Sequence, residues 1–212
     1  MKNLIIIGVG GFAREVYCHA KESIGFGSEW DIKGFLDGDV KLAADEYKKL
    51  QCPVLGDVLT YDIDKDDVFI CAIAEPKIKE RIVNIILNKG GNFINLIHNT
   101  VLLEGTIDIG TGNILSPHVI LKDNIKIGNF VSLNIGCKIG HDARIGDFSS
   151  FMGGVIVCGF SDIGKRVFMA TYAVAVPHTN ICDDVYVGVS SVAMKRIRAG
   201  KTVFGNPAMP LD

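Results

Sequence analysis

The pattern of apolar and polar positions changes character near residue 97. Upstream, short apolar runs alternate with segments of helical spacing. Leu4–Ile7 is an apolar run ending in glycines, Phe12–Ile24 can form a helix, and Ile32–Leu36 reads as a strand closed by Asp37 and Gly38. Val68–Ile73 reads as a buried strand. Pro76 opens a helix to about Asn88, with Ile78, Ile82, Ile85 and Ile86 at helical spacing and Gly90 and Gly91 as its stop. Phe93–Ile97 is extended again. Strands alternating with helices predict a small parallel α/β sheet over residues 1–96.

From Ile97 onward a period of six replaces the helical one. Every sixth residue is apolar: Ile97, Leu103, Ile109, Leu115, Leu121, Ile127, Leu133, Ile139 and Ile145, then Phe151, Val157, Ile163, Met169, Ala175, Ile181, Val187, Ala193 and Ala199. The fifth hexad position is mostly small or β-branched, as at Val119, Ala143 and Thr179. An unbroken hexapeptide period predicts a parallel β-helix over residues 97–212. Three hexads make one triangular coil of 18 residues, so the series predicts about six coils, each covering the next. Positions one and five point into the prism. Position two is glycine at 110, 128, 140, 146, 164, 188 and 200. These glycines are expected at corners, where positive φ costs them little.

Composition narrows the function. The 212 residues carry 22 basic and 24 acidic side chains, a net charge of −2 that disfavours nucleic acid as a partner. No apolar run approaches the roughly 18 residues of a membrane span. The first apolar run is followed by Arg14 and Glu15 rather than a cleavage site, so it reads as a strand and the chain as cytoplasmic. Six cysteines without CxxC or metal spacing read as free thiols among core residues.

Residues eighteen apart share a column of the prism. One column reads Gly105, Asp123, His141, Gly159, Pro177, Lys195. Histidine exchanges protons near neutral pH, so His141 is a candidate general base. Gly159, one coil above it, has no side chain and presents its N–H as a candidate donor to a developing oxyanion. Asp123, one coil below, is a candidate to orient the imidazole. Lys195, Arg196, Arg198 and Lys201 form one dense basic cluster at a reach suited to phosphates. Gly8, Gly10 and Gly11 shape a GxGxxA loop that presents a helix N-terminus to phosphate. His118 and His178 also lie in the prism, but their spacing does not favour a metal site.

The hexads resemble those of the hexapeptide acyltransferases. With IIIGVGGFAREV (5–16), FLDGD (35–39), IGHDARIGD (139–147) and GNPA (205–208), the chain resembles the sialic-acid O-acetyltransferase and bacillosamine-pathway N-acetyltransferase family. The resemblance implies a Rossmann-like N-terminal domain and a left-handed β-helix. It implies a homotrimer and transfer from acetyl-CoA, without metal, to a nucleotide-linked amino sugar. It pairs His141 with Asp142, which leaves Asp142 and Asp123 as alternatives. It places Asn134 near the acceptor and Asp37 near the nucleotide with Gly8, Gly10 and Gly11. Ser150 stands where relatives carry a second histidine, close to the thioester, and Gly159, Lys195 and Arg196 fall on the CoA side. O-acetylation of sialic acid or another glycan sugar, and a non-catalytic nucleotide-sugar scaffold, are the alternative readings.

Overall fold

A computed structural model describes residues 1–37 and 48–211, so Gly38 and Asp39 of the FLDGD segment lie outside the described residues. The chain divides into two compact units, Met1–Asn99 and Thr100–Asp212.

The first unit is a parallel sheet with the order β3-β2-β1-β4-β5. Its strands are β1 (Lys2–Ile7), β2 (Trp30–Asp37), β3 (Val54–Asp57), β4 (Asp67–Cys71) and β5 (Asn92–Phe93). Leu4–Ile7, Phe35, Leu36, Phe69 and Ile70 are fully buried, as expected for strands covered on both faces. Helix α1 (Gly11–Ala20) buries Ala13, Val16, Tyr17 and Ala20. It stops short of the expected Ile24, because the Ile24 amide donates instead to the Ile97 carbonyl at 2.9 Å. Helix α2 (Pro76–Asn88) starts where expected: Pro76 sits in its first turn and the Glu75 carboxylate accepts from the Ile78 amide at 2.6 Å. Strand β3 was invisible to periodicity, since Pro53 and Gly56 interrupt a short, half-exposed segment. Among the described residues no helix is long and apolar enough to cross a membrane.

The second unit is a β-solenoid whose sheets hold six, six and seven strands, each two or three residues long. Register is set by the hexad: Leu121, Ile139, Val157, Ala175 and Ala193 pair successively, eighteen residues apart, and all are buried. Three departures from the sequence reading stand out. The first concerns the corners. The left-handed backbone falls on hexad position four, where Gly112, Gly136 and Gly154 adopt it but most corners are held by non-glycine residues, including His118, Phe130, Asp142, Phe148, Phe160, Tyr172 and His178, with φ between 57 and 62°.

The position-two glycines are there for another reason. Of the seven, only Gly200 has positive φ. A Cβ on Gly140 would lie 2.5 Å from the Gly159 nitrogen, and one on Gly146 would lie 2.6 Å from the Gly164 carbonyl carbon. Glycine at position two lets successive coils stack backbone to backbone.

The second departure is at the C-terminal end. Asn180 pairs with Arg196 and Tyr186 with Thr202, sixteen positions apart. Two residues are missing from the last coil, so Ile197 and Val203 turn inward and Ala199 is exposed. A series that stays apolar through Ala199 conceals this slip. The largest sheet also runs past six strands and ends in an antiparallel strand, Met209–Pro210, so the expected six coils do not describe every face. The third departure concerns the cysteines. All six are free thiols, but only Cys71 and Cys137 are buried.

Candidate active site

His141 and Asp142 occupy positions three and four of the hexad that follows the strand Lys138–Ile139. Neighbours on a straight strand face opposite ways, but Asp142 has φ 59° and its carboxylate turns back toward the ring. His141 Nδ1 lies 2.8 Å from Asp142 Oδ2. The other Asp142 oxygen accepts from Asn124 Nδ2 at 2.6 Å. Hydrogen bonds from His141, then from Asn124, hold the Asp142 carboxyl below its ordinary value. It is therefore a stable anion that selects the tautomer with hydrogen on Nδ1 and leaves Nε2 as the acceptor. Asp123 does not compete for the ring: its Oδ1 accepts from the Thr106 amide at 2.8 Å.

The imidazole is accessible, with 57% of its side-chain surface exposed. Gly159 sits one coil above. A Cβ there would come within 2.8 Å of His141 Cε1 and Nε2. The imidazole therefore packs directly against Gly159, where a side chain would displace it, and its exposed side is the one that faces solvent. Beyond Asp142 the third face forms an open groove of about 480 Å³, floored by Gly128, Gly146 and Gly164 and rimmed by Arg144, Asp162 and Lys165.

The remaining predicted residues are dispersed. Asn134 and His141 stand at the two ends of the segment that carries Lys138–Ile139, and Asn134 Oδ1 accepts from the neighbouring Ile135 amide at 2.6 Å. Ser150, expected near the thioester, is fully buried between Ser132 and Phe168 in its sheet and presents no surface to a cofactor. Lys195 and Arg196 are exposed in the shortened coil. Arg196, Arg198 and Lys201 surround a cavity of about 270 Å³. In the first unit Gly8 has φ +112°, and a Cβ there would lie 3.0 Å from the Ala72 carbonyl oxygen, so packing itself demands glycine. Gly10 and Gly11 are different, since a Cβ on either meets only open space or the tip of Arg14. Their bareness keeps the N-terminus of α1 uncovered. Asp37 ends β2 and is buried. Reading position three alone missed Asn124, which the position-four column (Asn124, Asp142, Phe160, His178) contains.

Residues 3–86 match the PglD N-terminal domain. Over 146 residues the chain is 36% identical to GDP-perosamine N-acetyltransferase of Escherichia coli O157:H7, covering 66% of each protein. It thus spans just under two thirds of that relative. Among solved structures it is similar to the acetyltransferase domain of PglB from Neisseria gonorrhoeae FA1090 (TM-score 0.87, 24% identity, all of both chains). It is also similar to PerB from Caulobacter crescentus in complex with CoA and GDP-perosamine (TM-score 0.88, 21% identity, 100% of this chain and 98% of that one). WeeI from Acinetobacter baumannii AYE matches over both whole chains at 26% identity, with a TM-score of 0.77. The chain is thus similar to sugar N-acetyltransferases along most of its length.

Proposed function

We propose that this protein transfers an acetyl group from acetyl-CoA to the amine of a nucleotide-linked amino sugar. The observation that carries the reading is the His141–Asp142 pair, whose imidazole is exposed to solvent and packs on Gly159. Acetyl-CoA, when bound, supplies the thioester whose acyl carbon the amine attacks. His141 Nε2 would remove the proton from the attacking amine as the C–N bond forms, Asp142 would balance the resulting imidazolium, and as the C–S bond breaks the imidazolium would return that proton to the departing CoA thiolate. The named substrate of the Escherichia coli relative and the ligands of the Caulobacter crescentus structure support a nucleotide-linked amino sugar as acceptor.

The family also supports a left-handed solenoid, a cytoplasmic enzyme and a homotrimer. A trimer would explain why Asn134 and His141 occupy different corners of one prism: a joint site would need two chains. In the first unit the order β3-β2-β1-β4-β5 supports a Rossmann-like nucleotide-binding reading, because Gly8, Gly10 and Gly11 follow β1 at the point where the order reverses. Asp37, at the end of the neighbouring strand, is our candidate for contact with the nucleotide. Lys195 and Arg196 are assigned to the CoA phosphates.

The test is His141→Ala assayed with acetyl-CoA and a panel of nucleotide-linked amino sugars. Loss of a general base is expected to lower kcat about 10²- to 10⁴-fold, and activity within about threefold of the parent would sink the assignment. A product stable to hydroxylamine is an amide, whereas a labile one is an ester and would move the acceptor to a hydroxyl.

A further inference from the structure

The corner that carries His141 also carries an aromatic ladder. Asp142, Phe160 and His178 follow one another at position four, one coil apart, with φ of 59, 57 and 62°. The Phe160 amide donates to the His141 carbonyl at 3.0 Å and the His178 amide to the Gly159 carbonyl at 3.1 Å, so the backbone fixes each ring in height. The Phe160 and His178 rings are parallel, with 1° between their planes and centroids 4.9 Å apart. Phe160 and His141 stand at 88° with centroids 5.0 Å apart. Phe160 remains 51% exposed, so its ring does little to fill the core. Gly159 is what allows this contact, since it places no side chain beside the imidazole.

We propose that Phe160 is a positioning residue for the transfer reaction. Its ring, braced by His178, fixes the plane of the His141 imidazole, keeping Nδ1 on Asp142 and Nε2 over Gly159. The Asp142 hydrogen bond anchors one ring atom only, and a ring anchored at one atom can still tilt about that bond. A perpendicular aromatic contact at the ring removes the tilt, and such edge-to-face geometry is the favoured one for aromatic neighbours. The inference rests on the reading of His141 as the base.

The test compares Phe160→Ala, Phe160→Leu and Phe160→Tyr by steady-state kinetics, with thermal melting of each variant. Misorientation of a base is expected to lower kcat on the order of 10- to 100-fold in Phe160→Ala and Phe160→Leu, with both KM values within about threefold. Phe160→Tyr, which restores the ring, is expected to recover kcat to within about threefold of the parent. Phe160→Leu keeps apolar bulk and so carries the test if Phe160→Ala melts early. A loss confined to KM, a parental kcat in Phe160→Leu, or no recovery in Phe160→Tyr would each overturn the proposal. If His141→Ala is inactive while Phe160→Leu is normal, the positioning role fails and the acetyl-transfer reading stands. If His141→Ala is active, that reading fails first.

Discussion

At the scale of single residues, the site depends on what is absent as much as on what is present. Gly159→Ala would place a methyl group 2.8 Å from the imidazole. The glycine has ordinary φ, so alanine fits its backbone and the coil should stay folded. The expected outcome is a parental melting temperature with kcat lowered on the order of 10-fold or more, since a shift of about 1 Å in a catalytic group is costly. Steady-state kinetics and a melting curve on one preparation check this. Asn124→Ala removes one of two hydrogen bonds to Asp142 and should have a milder effect, a few-fold in kcat, because His141 retains its own bond. The His141–Asp142 pair was legible because the two residues adjoin and the column reading supplied Gly159. Asp123 could be dismissed only once its carboxylate was seen accepting from the Thr106 amide. The hidden residues were those in the next column, where Phe160 and His178 look like ordinary surface aromatics until eighteen-residue stacking brings their rings together.

At the scale of the element, one repeat distributes its demands over different positions. Position one fills the prism, position two needs close backbone approach, and position four needs a left-handed turn. The apolar period made position one readable. Glycine marked position two, but its cause was misread: steric room, not φ, is what Gly140 and Gly146 supply. Position four left only a faint compositional trace, because histidine, phenylalanine, tyrosine and aspartate occupy it alongside Gly112, Gly136 and Gly154. Opposite substitutions separate the two demands. Gly146→Ala should destabilise the solenoid, since its Cβ would press into backbone that cannot move aside. Ser190→Gly, at φ 52° on the surface, should raise stability by up to about 1 kcal/mol by relieving a left-handed residue. Differential scanning calorimetry of both variants reads the two signs.

At the scale of the whole molecule, the first unit has its own pH dependence. Lys79 on α2 is fully buried, and burial pulls its ammonium down to about 7 from an ordinary 10.5. Cys71 on β4 is also buried, and the same cause pushes its thiol up to about 12 from 9.0. Above pH 7 the unfolded chain still holds the Lys79 proton that the folded chain has released, so stability rises with pH. Above about pH 9 the unfolded chain loses the Cys71 proton that the folded chain keeps, and this term opposes the first. Urea unfolding followed by the single tryptophan, Trp30, buried in this unit, should show a gain of up to about 1.4 kcal/mol per pH unit between pH 7 and 8.5. Lys79→Met should flatten that gain.

The shortened last coil bears on a hazard that every stacked solenoid shares. A regular end is a template: its bare strand edges could accept another molecule and extend into a fibre. Here the final turn is two residues out of step, and the antiparallel strand Met209–Pro210 lies along Val203 and Phe204. Proline has no amide hydrogen to offer a newcomer. The irregular turn therefore acts as a terminator, and a chain cut before Met209 should polymerise end to end while the full chain stays discrete.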